Sequence, residues 1–250
     1  MPIALSVNLN KVALVRNSRT DNNPDIEKFA QICIEAGAKG LTAHPRPDQR
    51  HIRPGDIAIL SKVAREAKVE FNIEGNPFSP AQNDYPGLLP LVESVTPDQC
   101  TLVPDSESQL TSDHGFDLHT SGDKLLPIIE RLKGIGTRIS LFMDPDIDQI
   151  RLAKQLGADR IELYTGPFSA AFARSATEAQ VIFQQHCQAA EFATSIGLGV
   201  NAGHDLNLEN MLLYKQLPGL QEVSIGHALT ADALKLGFEA SVKAYLSVCS

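Results

Sequence analysis

The chain has 250 residues, four cysteines and a formal net charge of −8 at pH 7. That length is ample for one sizeable core, so we predict a single domain over residues 1–250. The acidic balance argues against nucleic acid and against an anionic membrane as partners, because proteins that bind phosphate backbones usually present a basic face.

Eight short runs of strand-forming residues alternate with longer stretches of helical character. The predicted strands are residues 3–8, 40–44, 69–73, 99–103, 138–142, 160–164, 198–201 and 222–225. Glycines at positions 37, 157 and 197 are expected to end helices in the left-handed conformation. No glycine-rich dinucleotide fingerprint follows the first strand, which argues against a doubly wound sheet. The pattern predicts an α/β fold, a (β/α)8 TIM barrel with extra helices.

One loop, one extra helix and one helical histidine stand out from this alternation of strands and helices. Residues 105–122 are polar and predict one long loop above the fourth strand. Residues 167–174 predict a short extra helix after the sixth strand. His186 falls in the middle of a helix, and we expect it at the surface.

The cysteines and the amino-terminal sequence indicate the compartment. Cys33, Cys100, Cys187 and Cys249 are far apart, which predicts neither a zinc ribbon nor a disulfide framework. The first eight residues are not typical of a signal peptide. No stretch approaches the roughly 20 apolar residues of a membrane helix. We therefore expect a cytoplasmic protein without a membrane partner.

The segment after the second predicted strand is the densest in reactive side chains. It places His44, Arg46, Arg50 and His51 within eight residues, between stiffening prolines. Arginine binds phosphate through paired donors, and histidine titrates near neutrality. A solvated turn with a salt bridge such as that between Arg50 and Asp48 is the alternative. In a barrel, strand ends form the active site, which favours a functional role.

Other strand ends add candidates. Glu74 ends an apolar strand, where burial would raise its pKa for proton abstraction, although a helix cap or an ion pair is also possible. Two Gly-His pairs, 203–204 and 226–227, end the last two strands, where barrels often bind phosphate. After the first strand, Lys11, Arg16 and Arg19 form either a solvated helix face or an anion clamp, and Arg19 is the favoured clamp residue.

An ordered set of motifs along nearly the whole chain resembles the pyridoxine 5′-phosphate synthase family. The motifs are Ser6-Val7-Asn8, Arg16-Asn17-Ser18-Arg19, His44-Pro45-Arg46-Pro47-Asp48-Gln49-Arg50-His51-Ile52, Asn72-Ile73-Glu74, Leu102-Val103-Pro104, Ile161-Glu162-Leu163-Tyr164-Thr165-Gly166, Asn201-Ala202-Gly203-His204 and Ile225-Gly226-His227. The resemblance implies that 1-deoxyxylulose 5-phosphate and 3-amino-2-oxopropyl phosphate condense to pyridoxine 5′-phosphate, phosphate and water. It also implies a homo-octamer and neither a metal nor an organic cofactor.

The same resemblance implies a role for each matching residue. His44 and Glu74 would accept protons, and His204 would donate one. The aminoketone phosphate would be held by Asn8, Arg19, Gly226 and His227, and the deoxyxylulose phosphate by Arg46, His51 and Thr111.

Three residues, at two places in the chain, depart from the family pattern. Asn10-Lys11 stands where many members have Asp-His, and Asp205 stands where glycine is common. Asn10 and Lys11 are kept as substrate-binding candidates, because Lys11 can replace the hydrogen bond of a histidine. Asp205 would repel a nearby phosphate unless its side chain turns away.

Three other functions are consistent with parts of the pattern. A metal-dependent hydrolase would use His44, His204 and His227 as ligands, but two arginines beside His44 would oppose a cation. A noncatalytic phospholigand-binding barrel would keep the phosphate sites, yet His44 and Glu74 are both present. A Schiff-base aldolase would depend on Lys11, the lysine nearest a suitable strand end.

Overall fold

The computed structural model describes residues 2–250, so the first residue of the predicted domain, Met1, lies outside the described residues. Eight parallel strands pair in chain order and close into a barrel, with β1 hydrogen-bonded to both β2 and β8. The strands are β1 Ala4–Asn8, β2 Gly40–Ala43, β3 Glu70–Gly75, β4 Gln99–Leu102, β5 Arg138–Met143, β6 Arg160–Tyr164, β7 Gly199–Gly203 and β8 Leu220–Ile225. The predicted (β/α)8 barrel is confirmed.

Helices surround the barrel and cover its outer face. They are α1 Asn10–Asn17, α2 Ile26–Ala36, α3 Pro54–Ala67, α4 Leu88–Val95, α5 Leu118–Gly134, α6 Ile147–Gln155, α7 Gly166–Arg174, α8 Ala176–Ser195, α9 Met211–Tyr214, α10 His227–Leu236 and α11 Phe238–Val248. The predicted extra helix after the sixth strand is α7. Within residues 2–250, no helix has the length and apolar character needed to cross a membrane.

Alternation along each strand separates the apolar outer face from a polar barrel interior. Leu5 and Val7 are fully buried beneath the helices. Between them, Ser6 points to the interior, where its Oγ lies 2.7 Å from Thr42 Oγ1. Further along, Thr101 donates to Asn72 Oδ1 at 3.1 Å. Polar side chains therefore fill the space that branched apolar residues usually fill in such barrels.

Left-handed residues end several helices, as predicted. Gly37, Gly157 and Gly197 have φ values of 112°, 88° and 76°. An L side chain is strained in this conformation, so glycine is the residue that suits a sharp turn into the next strand. The regular spacing of strands along the chain depends on these stops.

The long loop after β4 is shorter than predicted. Asp117 accepts the backbone N–H of His119 and begins α5 at Leu118, whereas the prediction extended the loop to residue 122. An aspartate at an N-cap satisfies a free amide of the first turn, which explains the earlier start. His119 therefore lies on a helix and not in the loop.

The predicted surface position of His186 is wrong. The residue is fully buried, and its Nδ1 lies 2.8 Å from the Tyr214 hydroxyl. Phe168, on α7, and Phe183 pack around the two rings. Burial lowers the pKa of His186 to about 4. Helix α7 covers this face of α8, and that contact comes from tertiary packing, not from the local pattern.

Candidate active site

A cavity of about 380 Å³ opens at the carboxyl ends of the strands. Most of the predicted site residues line it: Asn8, Asn10, Lys11, His44, Arg46, His51, Glu74, Thr111, His204, Gly226 and His227. Parallel strands bring their ends to one face of the barrel, so residues that are distant in the chain meet there. Arg19 is the exception, because it is exposed, does not line the cavity and donates from its guanidinium to the carbonyl of Ser18.

His44 lies deep in the cavity wall between two carboxylates. Its Nδ1 is 3.8 Å from Glu74 Oε2, and its Nε2 is 3.9 Å from Asp105 Oδ2. Burial lowers the pKa of His44 well below its usual value, and the positive charge of Arg46 lowers it further. His44 is therefore a neutral imidazole at pH 7, ready to accept a proton.

Glu74 faces His44 at the end of β3. Asn8 Nδ2 donates to its Oε2 at 3.3 Å, and Ser224 Oγ donates to its Oε1 at 3.4 Å. Burial raises the pKa of Glu74 to about 8, with a further contribution from the negative charge of Asp105. At pH 7 the carboxyl group is mostly protonated, so the pair of a neutral His44 and a protonated Glu74 carries no net charge.

Asp105, which the sequence reasoning did not single out, anchors Arg46. The Nη2 atom of Arg46 donates to Asp105 Oδ2, and Ser112 Oγ donates to the same oxygen at 2.9 Å. Burial raises the pKa of Asp105, although the Arg46 guanidinium opposes that shift. Asp105 could have been predicted from its position just after β4, because the residues after the other strands were the site candidates.

His51 presents one defined ring nitrogen to the cavity. Its Nδ1 accepts the backbone N–H of Ile52 at 3.0 Å. Burial lowers the pKa of His51 to about 3, and the charge of Arg46 adds to that effect. The ring is therefore neutral and carries its proton on Nε2, so that nitrogen is a donor.

The backbone at His51 is held from α1. Asn17 Nδ2 donates to the His51 carbonyl at 2.7 Å, and Arg16 Nη2 donates to it at 3.2 Å. Arg16 also forms a two-point ion pair with Asp56, with distances of 2.7 and 2.8 Å. Arg16 is 1% exposed, so it belongs neither to a solvated helix face nor to an anion clamp.

Asn10 and Lys11 line the cavity at the start of α1. Asn10 Oδ1 accepts the backbone N–H of His44 at 2.9 Å, which ties α1 to the segment after β2. Lys11 lines the cavity, and its charge contributes to lowering the pKa of both His51 and Asp205.

His204 is bonded at both ring nitrogens. Its Nε2 is 2.8 Å from Thr111 Oγ1, and its Nδ1 is 2.9 Å from Asp205 Oδ2. The ring also meets the edge of the Tyr164 ring, with centroids 5.2 Å apart. Thr111 comes from the long loop after β4, so this contact closes one side of the cavity with loop residues.

Gly226 and His227 begin α10 at the cavity. Gly226 is the N-cap of the helix and His227 is its first residue. A Cβ on Gly226 would lie 3.0 Å from Asn8 Cβ, so a larger residue would crowd the end of β1. A helix N-terminus presents free amides and a partial positive charge, which suits an anion such as phosphate.

Glu162 adds a buried carboxyl to the cavity wall. It lies on β6 and is 4% exposed. Burial raises its pKa well above the usual value, and the charge of Glu74 adds to that rise. In its protonated form the carboxyl group of Glu162 can donate a hydrogen bond at the cavity. Sequence analysis named Glu162 within the Ile161–Gly166 motif but assigned it no role.

The three histidines of the metal hypothesis do not form a metal site. Across residues 2–250, no group of three His, Cys, Asp or Glu side chains is arranged to hold an ion. His44 contacts Glu74, whereas His204 contacts Thr111 and Asp205.

Comparison with known proteins identifies the family of this chain. Residues 5–250 match the family model described as pyridoxal phosphate biosynthesis protein PdxJ. The chain belongs to the PdxJ family. A pyridoxine 5′-phosphate synthase from Xanthomonas oryzae pv. oryzae (strain MAFF 311018) is 51% identical over 249 residues, covering 99% of this chain and 97% of the relative. Another, from Xylella fastidiosa (strain 9a5c), is 47% identical over 245 residues, covering 98% and 94%.

Solved structures with low sequence identity share the fold of this PdxJ-family chain. Mycobacterium tuberculosis tryptophan synthase superposes with a TM-score of 0.65 at 10% identity, covering 99% of this chain and 93% of that one. Thiamine phosphate pyrophosphorylase from Pyrococcus furiosus gives a TM-score of 0.62 at 11% identity, covering 99% and 95%. At such identities the likeness concerns architecture alone.

Proposed function

We propose that this protein is a pyridoxine 5′-phosphate synthase that condenses 1-deoxyxylulose 5-phosphate with 3-amino-2-oxopropyl phosphate. The products are pyridoxine 5′-phosphate, inorganic phosphate and water. One observation carries the proposal: His44, Glu74 and His204 share a cavity that has anion-binding donors on two sides. Family membership over residues 5–250 supports it.

Two groups of donors are suited to two phosphates. Arg46, His51 and Thr111 are assigned to the deoxyxylulose phosphate, since a guanidinium, a ring N–H and a hydroxyl all donate. Gly226 and His227, at the start of α10, are assigned with Asn8 to the aminoketone phosphate. Holding both phosphates converts a bimolecular encounter into a reaction within one complex.

The assignment of Arg19 to the aminoketone phosphate stays a prediction. Its side chain lies on the exposed stretch after α1, outside the residues that line the cavity. Contact with the phosphate would require this stretch to move toward the start of α10. Asn10 and Lys11 are assigned to substrate as well, and the positive charge of Lys11 contributes to lowering the pKa of Asp205.

The buried pair supplies the proton acceptors. An amine attacks a ketone only after its ammonium form loses a proton, and imine formation and ring closure need further proton removal. His44 is neutral and accepts directly. Because the pKa of Glu74 is raised to about 8, its carboxylate, once formed, is a stronger base than an ordinary carboxylate and is suited to remove a proton from an ammonium group. A cationic substrate beside it favours that carboxylate.

His204 supplies a proton to a leaving oxygen. Departing water and phosphate both leave more readily when their oxygen is protonated, and a positioned imidazolium is a suitable donor. Its Nε2 lies 2.8 Å from Oγ1 of the loop residue Thr111, and both residues line the cavity.

The direct test combines both phosphorylated substrates with purified protein and measures pyridoxine 5′-phosphate and phosphate together. We expect His44→Ala, Glu74→Ala and His204→Ala each to cut turnover by about 100-fold or more without loss of fold. His114→Ala is the matched control, because His114 is exposed and outside the cavity. Wild-type turnover in a site variant removes that residue from the mechanism.

Assembly and location are part of the same proposal. We propose a homo-octamer that works in the cytoplasm, on the basis of the family resemblance. Light scattering coupled to size exclusion measures the subunit number directly, and a mass of one or two chains contradicts the octamer.

A further inference from the structure

The loop after β7 gives His204 a carboxylate partner from the next residue. Asp205 Oδ2 lies 2.9 Å from His204 Nδ1, and Thr111 Oγ1 lies 2.8 Å from Nε2. The hydrogen bond from His204 lowers the pKa of Asp205, so the carboxyl group is ionised and acts only as an acceptor. The Nδ1 atom therefore carries a proton.

We propose that Asp205 is a positioning residue for His204, whose carboxylate holds the Nδ1 proton so that Nε2 is the nitrogen that exchanges protons in the cavity. The inference rests on the donor role proposed above for His204. When Nε2 gives its proton to a leaving oxygen, the Nε2–H bond breaks and its electron pair stays on the nitrogen. The neutral ring that remains has its proton on Nδ1 and is still bonded to Asp205.

The backbone of this turn is held independently of the Asp205 side chain. His204 and Asp205 have φ values of 87° and 57°, a conformation that L residues rarely adopt. Thr165 Oγ1 donates to the Gly203 carbonyl at 2.8 Å. The Asp205 carbonyl accepts from Ser169 Oγ at 3.0 Å and from Asn210 Nδ2 at 3.1 Å. Changing the Asp205 side chain therefore leaves the turn's own hydrogen bonds in place, and glycine relieves its strain.

Charged and titratable groups from several elements face this pair. Lys11 on α1 and His227 on α10 each contribute to lowering the pKa of Asp205. Tyr164 on β6 packs against the His204 ring, and Asp105, after β4, senses the charge of His204. Because a phosphate is assigned to Gly226 and His227 nearby, the alternative role for the Asp205 carboxylate is to repel that phosphate. The bond to Nδ1 directs its carboxylate at the imidazole instead.

The test compares Asp205→Asn and Asp205→Gly with wild type, after wild type has been shown to turn over both substrates. We expect kcat to fall by about 10-fold, with both KM values within about two-fold, because Asn lacks the charge and its amide can donate to Nδ1. The effect is smaller than for a fully buried pair, since the Asp205 side chain is 47% exposed.

A spectroscopic readout separates positioning from a structural effect. Nitrogen-15 spectra of labelled histidine, assigned by a His204→Gln variant, report which ring nitrogen holds the proton in the neutral form. We expect the Nδ1–H tautomer in wild type and a shift toward Nε2–H in both Asp205 variants. Asp113→Asn, which removes the carboxylate of the exposed Asp113–His114 pair outside the cavity, is the matched control and should keep wild-type kcat.

Each outcome decides the question. Unchanged kcat and an unchanged tautomer in both Asp205 variants overturn the inference while leaving the proposed function intact. A lower KM for the aminoketone phosphate at unchanged kcat shows that Asp205 acts by repulsion, and this also overturns it. Absence of turnover in wild type rejects the proposed function, whereas the tautomer measurement still tests the bond between Asp205 and His204.

Discussion

Two sides of the same cavity set the state of their protons by different means. The buried wall consists of His44, Glu74 and Asp105, and the exposed rim consists of Thr111, His204 and Asp205. Side chains of His44 and Glu74 are 7% and 10% exposed, whereas those of His204 and Asp205 are 18% and 47% exposed. Burial removes charge from the wall, since it lowers the pKa of His44 and raises that of Glu74. At the rim, a solvated carboxylate keeps its charge and acts through a hydrogen bond.

Because of this contrast, the two sides should respond differently to substitution. A buried acid–base pair depends on the exclusion of water, so polar substitutions that preserve shape alter its chemistry without altering its packing. The rim depends on the orientation of one hydrogen bond and on a loop that supplies Thr111. Glu74→Gln at the wall should therefore reduce turnover most, whereas changes to Thr111 and Asp205, which act at the rim through their contacts with His204, should have smaller effects.

The largest effect is expected for Glu74→Gln at the wall. The amide keeps the shape of the carboxyl group but cannot accept a proton, so turnover should fall by about 1000-fold. Steady-state kinetics with both substrates measures it. A matched control is Glu70→Gln, at the other end of β3, where the side chain pairs with Arg138. A loss of less than about five-fold in Glu74→Gln would remove Glu74 from the acceptors.

Arg46→Ala should weaken the deoxyxylulose phosphate more than the aminoketone phosphate. Loss of a charged donor to phosphate costs about 1.5–3 kcal/mol, which corresponds to a rise in KM on the order of 10- to 100-fold. The two KM values are measured separately, each with the other substrate saturating. Equal increases for both substrates contradict the assignment of Arg46 to one phosphate.

The free energy of unfolding should depend on pH through the buried carboxyl group of Glu74. Glu74 has a folded pKa of about 8, above its usual value of 4.5. The folded state binds more protons than the unfolded state between these values, so the contribution of Glu74 to stability falls as pH rises from 4.5 through 8. Glutamine does not titrate, so the Glu74→Gln variant should not lose this stability as pH rises.

Urea unfolding of wild type and Glu74→Gln at pH 5 and pH 9 measures this difference. The free energy of unfolding of the variant, relative to wild type, should increase by a few kcal/mol between the two conditions. The comparison of two proteins cancels the other titrating groups. A constant difference across this range shows that Glu74 is not held protonated by the fold.

The smallest effect is expected for Thr111→Val at the rim. Valine keeps the shape but loses the hydroxyl next to His204 Nε2 and the donor to the deoxyxylulose phosphate. One neutral hydrogen bond contributes about 1 kcal/mol, so kcat/KM for that substrate should fall by about five-fold. A loss as large as that of Glu74→Gln would show that the rim is as critical as the wall.

Strand ends were accessible to sequence reasoning because they follow a local pattern. Short strand-forming runs alternating with helical stretches mark the eight strands, and the rule that parallel strands end at one face brings His44, Glu74 and His204 together. That argument requires no knowledge of which helices touch. The roles of Asn8 and Thr111, by contrast, came from the family resemblance, and the cavity-lining Glu162 received no role from the sequence.

Burial and partners were decided by tertiary structure alone. Asp105 meets Arg46 because the loop after β4 folds back over the end of β2. Arg16 is an internal ion-pair partner of Asp56 because α1 packs on the start of α3. His186 is internal because α7 covers α8. Each of these depends on contacts between distant segments, and local periodicity records only which face of an element is apolar, not what covers it.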